Sequence, residues 1–274
     1  MSFSIALPLS GYGGWKFLKR TEEAQMQRMQ ADPVMQRDEA YFREKIGSVT
    51  TADQLVSDKR LLRVALGAYG LSGDVNNTYF IKKVLQDGTL DTGDLANRLT
   101  DKNYAALSSA FGFGDYSVPA TQVSTFADDI LARYEQRKFE EAVGDSNGDY
   151  RIALYAEREL PALAAKTLSG DGKWFSIMGS PPLREFFETA YGLPSSFSAM
   201  DVDQQLVVLK DKTDRLFGDS DVGQFTKGET LDKMVRQYLL RAEIAAGASG
   251  TGSGSAALQI LQAGQSSLAS LLSR

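Results

Sequence analysis

Paired glutamates are the residues of this sequence whose type and spacing could carry out catalysis. Glu157 and Glu159 form one pair, and Glu185 and Glu188, at i and i+3 of a predicted helix, form another. Two carboxyl groups, one acting as general acid, are the arrangement with which muramidases cleave glycosidic bonds on all-α scaffolds. Such pairs are also common on solvated helix faces. The sequence therefore favours an ordinary surface position, and a glutamate-dependent peptidoglycan hydrolase (muramidase-like) is the alternative function.

Histidine and cysteine are both absent from the 274 residues. Their absence excludes a Ser-His-Asp triad, a Cys-His pair, disulfide bonds, and sites in which histidine or thiolate binds zinc or iron. The stretch Gly170-Asp171-Gly172-Lys173 lacks the spacing of a phosphate-binding loop. We therefore expect no catalytic residues, no cofactor and no enzymatic activity.

An aspartate-rich stretch, Asp145-Ser146-Asn147-Gly148-Asp149, places oxygen atoms at the first, third and fifth positions of a calcium loop. The sixth position, where the sharp turn needs glycine, is Tyr150, and the twelfth, where a bidentate acid is expected, is Ala156. Because both features are missing, the stretch is predicted to be an ordinary turn between helices, and no metal site is expected.

The composition is that of a folded protein with a substantial core and little charge bias. Hydrophobic residues make up 43% of the chain, and 30 basic against 35 acidic residues give a net charge of -5. No basic stripe is present, so nucleic acid is not an expected partner. No run approaches the roughly 20 apolar residues that span a bilayer, so membrane insertion is not expected. The N-terminus lacks the basic region and cleavage site of a secretory signal, so no cleaved signal peptide is expected.

Helical periodicity dominates the sequence, and no series of alternating apolar strands is present. An all-α fold is therefore predicted. Asp32-Pro33, Pro119 and Pro181 are predicted helix starts, because proline is tolerated at an early helical position. The predicted helices cover residues 15–30, 33–46, 53–69, 76–85, 94–99, 101–111, 119–143, 150–166, 181–191, 201–217 and 227–246.

A motif of alanine, an aromatic residue, glycine and a hydrophobic residue recurs at predicted helix ends. Its copies are Ala68-Tyr69-Gly70-Leu71, Ala110-Phe111-Gly112-Phe113 and Ala190-Tyr191-Gly192-Leu193, with a weaker copy at Leu216-Phe217-Gly218. Glycine adopts the left-handed conformation after a last helical turn at little cost, and the next residue then packs back on the helix. We predict left-handed helix ends, aromatic side chains buried beneath them, and a multi-helical array with internally repeated helical units.

The sequence predicts five segments. Residues 1–48 form N-terminal amphipathic helices, residues 49–143 a first helical unit, and residues 144–246 a second. Residues 247–255, rich in glycine and serine, are expected to be a flexible linker, and residues 256–274 a C-terminal interaction helix.

The predicted C-terminal helix carries an apolar seam. Leu258, Leu261, Gln265, Leu268 and Leu272 follow one another in steps of three and four, as in a heptad repeat. Such a seam is buried either against its own domain or against another protein. Both outcomes stay open, and the second makes the four leucines candidate interaction residues.

Several stretches in the first part of the chain resemble one bacterial family. They are residues 11–18 (GYGGWKFL), 37–42 (RDEAYF), 58–62 (DKRLL), 65–71 (ALGAYGL) and 76–85 (NNTYFIKKVL). The family is one of unknown function whose members are often encoded among flagellar genes, and the resemblance covers roughly the first 110 residues. It implies a non-enzymatic structural or assembly protein of the flagellum, either flagellum-associated or cytoplasmic, with a flagellar component or a second copy as partner. Flagellar axial proteins often lack cysteine and carry amphipathic helices at both termini, two features that this sequence shares.

Overall fold

A computed structural model describes residues 3–248, which contain thirteen α-helices, short 3₁₀ turns and no β-strand. The all-α prediction is confirmed. The described chain forms two compact units, with one division inside the first helix and the other after Ser146. The first unit comprises the described residues up to Ala6 together with Leu18–Ser146, and the second comprises Leu7–Phe17 together with residues 147–248. No described helix is long and apolar enough to cross a membrane.

The first unit contains the second half of one helix and seven further helices. Their bounds are α1 Gly11–Gln30, α2 Pro33–Lys45, α3 Ala52–Ser57, α4 Lys59–Ala68, α5 Thr78–Asp87, α6 Leu95–Arg98, α7 Asn103–Phe111 and α8 Phe126–Ser146. Helix α4 packs against α2, α3 and α8, and is buried from Val64 to Ala68 without interruption. A helix that is apolar on most sides belongs in the middle of a unit, and α4 has that place.

The second unit contains the first half of α1 and five further helices. Their bounds are α9 Gly148–Ala164, α10 Gly170–Met178, α11 Pro181–Tyr191, α12 Val202–Phe217 and α13 Gly228–Ala248. Helix α11 packs against α9, α10 and α13. An aromatic core surrounds it, with ring centroids 4.9 to 5.7 Å apart among Trp174, Phe186, Phe187, Tyr191, Phe225 and Tyr238.

The start of the chain contributes to the core of the second unit. Trp15 is buried, and its ring centroid lies 5.8 Å from that of Tyr150 on α9. The Tyr150 hydroxyl donates to the carbonyl of Gly11 at 2.6 Å. Residues more than 130 positions apart in the sequence therefore hold this unit together.

The repeated glycines end their helices in the left-handed conformation, as predicted. The φ angles are 72° at Gly70, 67° at Gly112, 61° at Gly192 and 75° at Gly218. After Gly70, the Leu71 amide donates to the Leu66 carbonyl at 2.8 Å, and the Leu193 and Glu188 backbones make the same bond at 2.9 Å. These two ends are Schellman motifs, in which the hydrophobic residue folds back on the helix. Gly112 and Gly218 each donate instead to the carbonyl four residues earlier, at 2.8 and 2.7 Å.

The aromatic residues of the motif lie under the helix ends. Tyr69, Phe111 and Tyr191 are buried, which confirms their predicted place in the core. Phe217 is only half-buried, and its ring lies 5.8 Å from that of Phe225. The weaker fourth copy therefore covers a more open part of its unit.

Helices α4 and α11 have matching roles within their own units. Each is central, each ends in Ala-Tyr-Gly-Leu, and each packs against a helix of 21 residues, α8 or α13. Each terminal glycine also lies beside an arginine of that long helix, Gly70 beside Arg137 and Gly192 beside Arg241. A cation at this place interacts favourably with the carbonyl end of the helix.

The longest predicted helix, residues 119–143, starts at the wrong place. Pro119 precedes a 3₁₀ turn, Ala120–Gln122, and α8 begins only at Phe126. The Thr121 hydroxyl donates to the carbonyl of Val49 at 2.5 Å, and the Gln122 amide donates to that of Gly47 at 2.7 Å. These tertiary hydrogen bonds hold the segment outside the helix.

Residues 53–69 form two helices rather than the single helix that the periodicity predicts. Asp58 breaks the run, because its carboxylate accepts the amides of Arg60 and Leu61 at 2.9 and 3.1 Å and caps α4. Helix α10 was missed altogether. Its first turn holds Gly170 and Gly172, which have low helix propensity, and the helix is anchored by burial of Trp174.

The predicted linker begins inside a helix, since Gly247 lies in the last turn of α13. The remainder of that linker and the predicted interaction helix, residues 256–274, lie outside the described residues.

Candidate functional site

A groove of about 620 Å³ lies on the first unit, between the end of α1, the start of α2 and the second half of α8. Its apolar lining consists of Phe3, Met29, Val34, Met35, Tyr134 and Ala142. Its charged lining consists of Asp32, Arg37, Asp38, Lys138, Glu141 and Asp145. The groove thus combines an apolar floor with charged edges.

The turn between α1 and α2 shapes one end of the groove. The Asp32 carboxylate accepts the amides of Val34 and Met35 at 2.8 and 3.4 Å, and Pro33 occupies the first helical position. This cap confirms the helix start predicted at Asp32-Pro33. It places Met35 in the core and leaves Val34 58% exposed in the groove.

Half of the charged side chains along the groove form ion pairs inside the first unit. Asp38 is buried, and the Arg60 guanidinium donates to it at 2.7 Å. Lys138 donates to Glu141 at 2.7 Å. These paired side chains hold the walls of the groove in place and present little net charge to a ligand.

The outer edge of the groove is negative. Asp145 is exposed near the end of α8, and Asp32 is half-buried at the start of α2. Arg37 is the opposing cation, and its Nε already donates to the carbonyl of Pro33 at 2.9 Å. Two carboxylates against one guanidinium leave a negative edge beside an apolar floor.

Tyr134 forms part of the floor as a neutral phenol. Burial raises the pKa of its hydroxyl to about 12, and the negative charges of Asp38 and Glu141 add to this effect. Its ring lies against the backbone of α4 at Gly67, where a Cβ would come within 2.7 Å of Cε2. The floor is therefore closely packed from below.

Glu39, the residue after Asp38, is a buried acid that sequence reasoning missed. It is 8% exposed, and its Oε1 has no hydrogen-bond partner among the described residues. Burial, together with the negative charge of the neighbouring Glu135 on α8, raises the pKa of its carboxyl to about 7. A signal was present, because Met35, Asp38, Glu39 and Phe42 follow the i, i+3, i+4, i+7 pattern of a buried stripe.

The glutamates considered for catalysis lie on α9 and α11 of the second unit, and none of them lines the groove. Glu157 is half-buried, Glu159 pairs with Arg158, and Glu188 pairs with Arg184 at 2.7 Å. Glu185 lies at the surface, where partial desolvation raises the pKa of its carboxyl, with further contributions from Asp149 and Glu188.

The aspartate-rich stretch, residues 145–149, forms the end of α8 and the start of α9. Asn147 accepts the amide of Tyr150 at 3.1 Å and caps α9, and Asp149 accepts the hydroxyl of Tyr238 at 3.3 Å. Within residues 3–248 no group of three or more acidic side chains is arranged to hold a metal ion. The candidate interaction residues Leu258, Leu261, Leu268 and Leu272 lie outside the part of the chain that the structure describes.

The protein is therefore all-α, with two helical units and an apolar groove on the surface of the first unit. The chain belongs to the family described as protein of unknown function (DUF1217), whose model matches residues 68–231. The crystal structure of protein AGR_C_984 from Agrobacterium tumefaciens, a structural genomics target, is similar to it. That structure has a TM-score of 0.70 and 26% sequence identity, over 88% of this chain and 99% of that chain. No curated protein matches the chain.

Membership of a family of unknown function was predicted and is confirmed. The match begins at residue 68, so three of the five stretches that carried the resemblance lie before it, and it continues into the second unit. The flagellar association stays a prediction.

Proposed function

We propose that this chain is a non-enzymatic structural or assembly protein of the bacterial flagellum that binds other proteins through helices. The groove on the first unit supports this proposal, because an apolar floor with charged edges is suited to an amphipathic helix. Val34 is the most direct support: a valine 58% exposed at this place gains burial when a ligand covers it.

The proposed occupant is an amphipathic helix of a partner protein with basic residues beside its apolar face. The apolar face would cover Val34 and the half-buried Phe3. The basic residues would face Asp32 and Asp145, the carboxylates at the negative edge.

A pair of model peptides tests this occupant. Both are helical with the same leucine seam, one flanked by lysine and the other by glutamate, and binding is measured by fluorescence anisotropy. We expect the lysine peptide to bind and the glutamate peptide to bind at least tenfold more weakly. The Val34→Asp variant should bind the lysine peptide more weakly than the wild type does. If charge attraction alone caused binding, Val34→Asp would bind the lysine peptide more tightly, because the substitution adds a negative charge to the protein.

Val118→Asp is the matched control, because Val118 is 67% exposed in the same unit and does not line the groove. Equal binding by wild type and Val34→Asp would contradict the groove as the binding surface. Equal binding of the two peptides would contradict the proposed charge of the partner.

The flagellar role is tested by location. The chain is followed in cytoplasm, periplasm, purified flagella and culture supernatant, in cells with and without a working flagellar export system. We expect it in the flagellar fraction or bound to a flagellar component, with a distribution that depends on export. An unchanged distribution, with none in purified flagella, would contradict the flagellar role and leave groove binding to be judged by the peptides.

The peptidoglycan hydrolase alternative has Glu185 as its best candidate acid, because its pKa is raised. We expect no cleavage of peptidoglycan by the purified protein, since Glu185 lies on a helix surface. Turnover that is lost in Glu185→Gln, with folding intact by circular dichroism, would establish the enzyme instead.

A further inference from the structure

Two carboxyl groups meet where α2 packs against α8. Glu39 is buried, and the carboxyl group of Glu135 raises the pKa of Glu39 through its negative charge and by accepting a hydrogen bond from the protonated form. Glu135 also accepts the Gln30 side-chain amide at 2.6 Å. Glu39 is buried whereas Glu135 is only half-buried, and burial disfavours the charged form, so Glu39 is the member of the pair that carries a proton and donates it.

Other charges around the pair do not neutralise it. Arg43, one turn further along α2, favours the ionised form of Glu39 but is itself exposed and bound to Asp128 of α8 at 3.0 Å. Helix α4 presents Arg60 and Arg63, and both lie against Asp38.

Tyr134 of α8 also interacts with Glu39, and its phenol is neutral over the relevant pH range because its pKa is raised to about 12. Ionised Glu39 would thus place a second negative charge beside Glu135, with its Oε1 buried and without a hydrogen bond. This unfavourable free energy weakens the contact between α2 and α8.

We infer that Glu39 and Glu135 form a proton-sharing carboxyl pair that fastens α2 to α8 in mildly acidic solution and loosens this contact as the pH rises through neutrality. The device goes beyond the proposed function, since it concerns the fastening of a helix whether or not a partner binds. When Glu39 ionises, its proton passes to solvent and the hydrogen bond to Glu135 is lost.

The direction follows from proton linkage. The carboxyl of Glu39 has its pKa raised to about 7 in the folded protein, above its ordinary value near 4.5. The folded state therefore binds the proton more tightly, and the stability it gains is complete below about pH 4.5 and is lost as the pH rises towards and through 7.

Hydrogen exchange measures the loosening. After correction for the intrinsic exchange rate, protection of the α2 amides in wild type should fall about tenfold between pH 6 and pH 8. Glu39→Gln keeps a hydrogen-bond donor without a charge, so its protection should not change over this range. Glu44→Gln, an exposed acid on the same helix, should behave as wild type.

Titration of the Glu39 side chain by carbon NMR tests the pair directly in the unaltered protein. A midpoint near 7 is expected, and Glu135→Gln should move it to lower pH. A wild-type midpoint near 4.5 would overturn the inference, as would an equal loss of protection in wild type and Glu39→Gln. The NMR titration decides the matter even if Glu39→Gln fails to fold.

Discussion

The glycines that end helices have different surroundings. The free-energy cost of a left-handed backbone can therefore be measured separately from the cost of a steric contact. Gly218 has a φ of 75° and open space around it, whereas a Cβ on Gly112 would come within 2.8 Å of the Tyr116 ring. Substitution at Gly218 therefore measures the left-handed conformation alone. Substitution at Gly112 adds a contact with the ring.

We predict that Gly218→Ala lowers the free energy of unfolding by about 1 kcal/mol and that Gly112→Ala lowers it by more. Gly47→Ala is the control, because Gly47 has open space and no positive φ, and it should be neutral or slightly stabilising. Urea denaturation measures all three. Equal values for Gly218→Ala and Gly47→Ala would contradict the cost assigned to the backbone.

Local features of the sequence predicted the helix ends well. The left-handed glycines and the cap at Asp32 depend on residues within one helical turn, so a single sequence contains the information. Glu39 shows the limit: its place on an apolar stripe predicts burial, but its contact with Glu135 depends on how α2 meets α8.

At the scale of helices, prediction from the sequence failed where contacts between residues far apart in the chain determine the backbone conformation. Pro119 begins no α-helix because Thr121 and Gln122 bond to the turn before α3. The groove could not be predicted for the same reason. Its walls come from α1, α2 and α8, and no local pattern says that these helices meet.

Helices α4 and α8 make a close contact at Gly67, beneath the Tyr134 ring. A Cβ at Gly67 would lie 2.7 Å from that ring, so we expect Gly67→Ala to destabilise the protein by roughly 1 to 3 kcal/mol. Gly13→Ala, in a helix with open space, should instead stabilise it by up to about 1 kcal/mol. Thermal unfolding measures both, and a stabilised Gly67→Ala would show that the helices separate easily.

At the scale of the whole molecule, the second unit depends on residues 7–17. We predict that Trp15→Ala lowers its stability by about 3 kcal/mol or more, because Trp15 is 3% exposed against Tyr150. The chain has two tryptophans, so the variant keeps only Trp174, which is buried in the same unit and reports its unfolding by fluorescence.

Phe175→Ala is the control for that substitution, since Phe175 is an exposed aromatic residue of the same unit. It should change stability much less. A Trp174 fluorescence transition at the wild-type urea concentration in Trp15→Ala would contradict the role of the N-terminal segment.

The last 26 residues are predicted to act outside the two units. Ending the chain after Ala248, where α13 ends, should leave the thermal midpoint nearly unchanged and remove self-association or binding to a flagellar partner. Leu261→Asp combined with Leu268→Asp should do the same by placing charges in the apolar seam. Sedimentation and calorimetry measure the two effects, and a large fall in the midpoint would mean that the segment belongs to the core.

Residues 7–17 pack with residues made much later, and this sets an order of events during synthesis. At about 5 to 20 residues per second, the ribosome needs on the order of ten seconds or more to pass from Trp15 to Tyr238. During that interval the first unit can be completed, while the indole of Trp15 has no core to enter. The nascent chain therefore presents an early apolar segment that a chaperone can hold, and the second unit closes only when its last helix has left the ribosome.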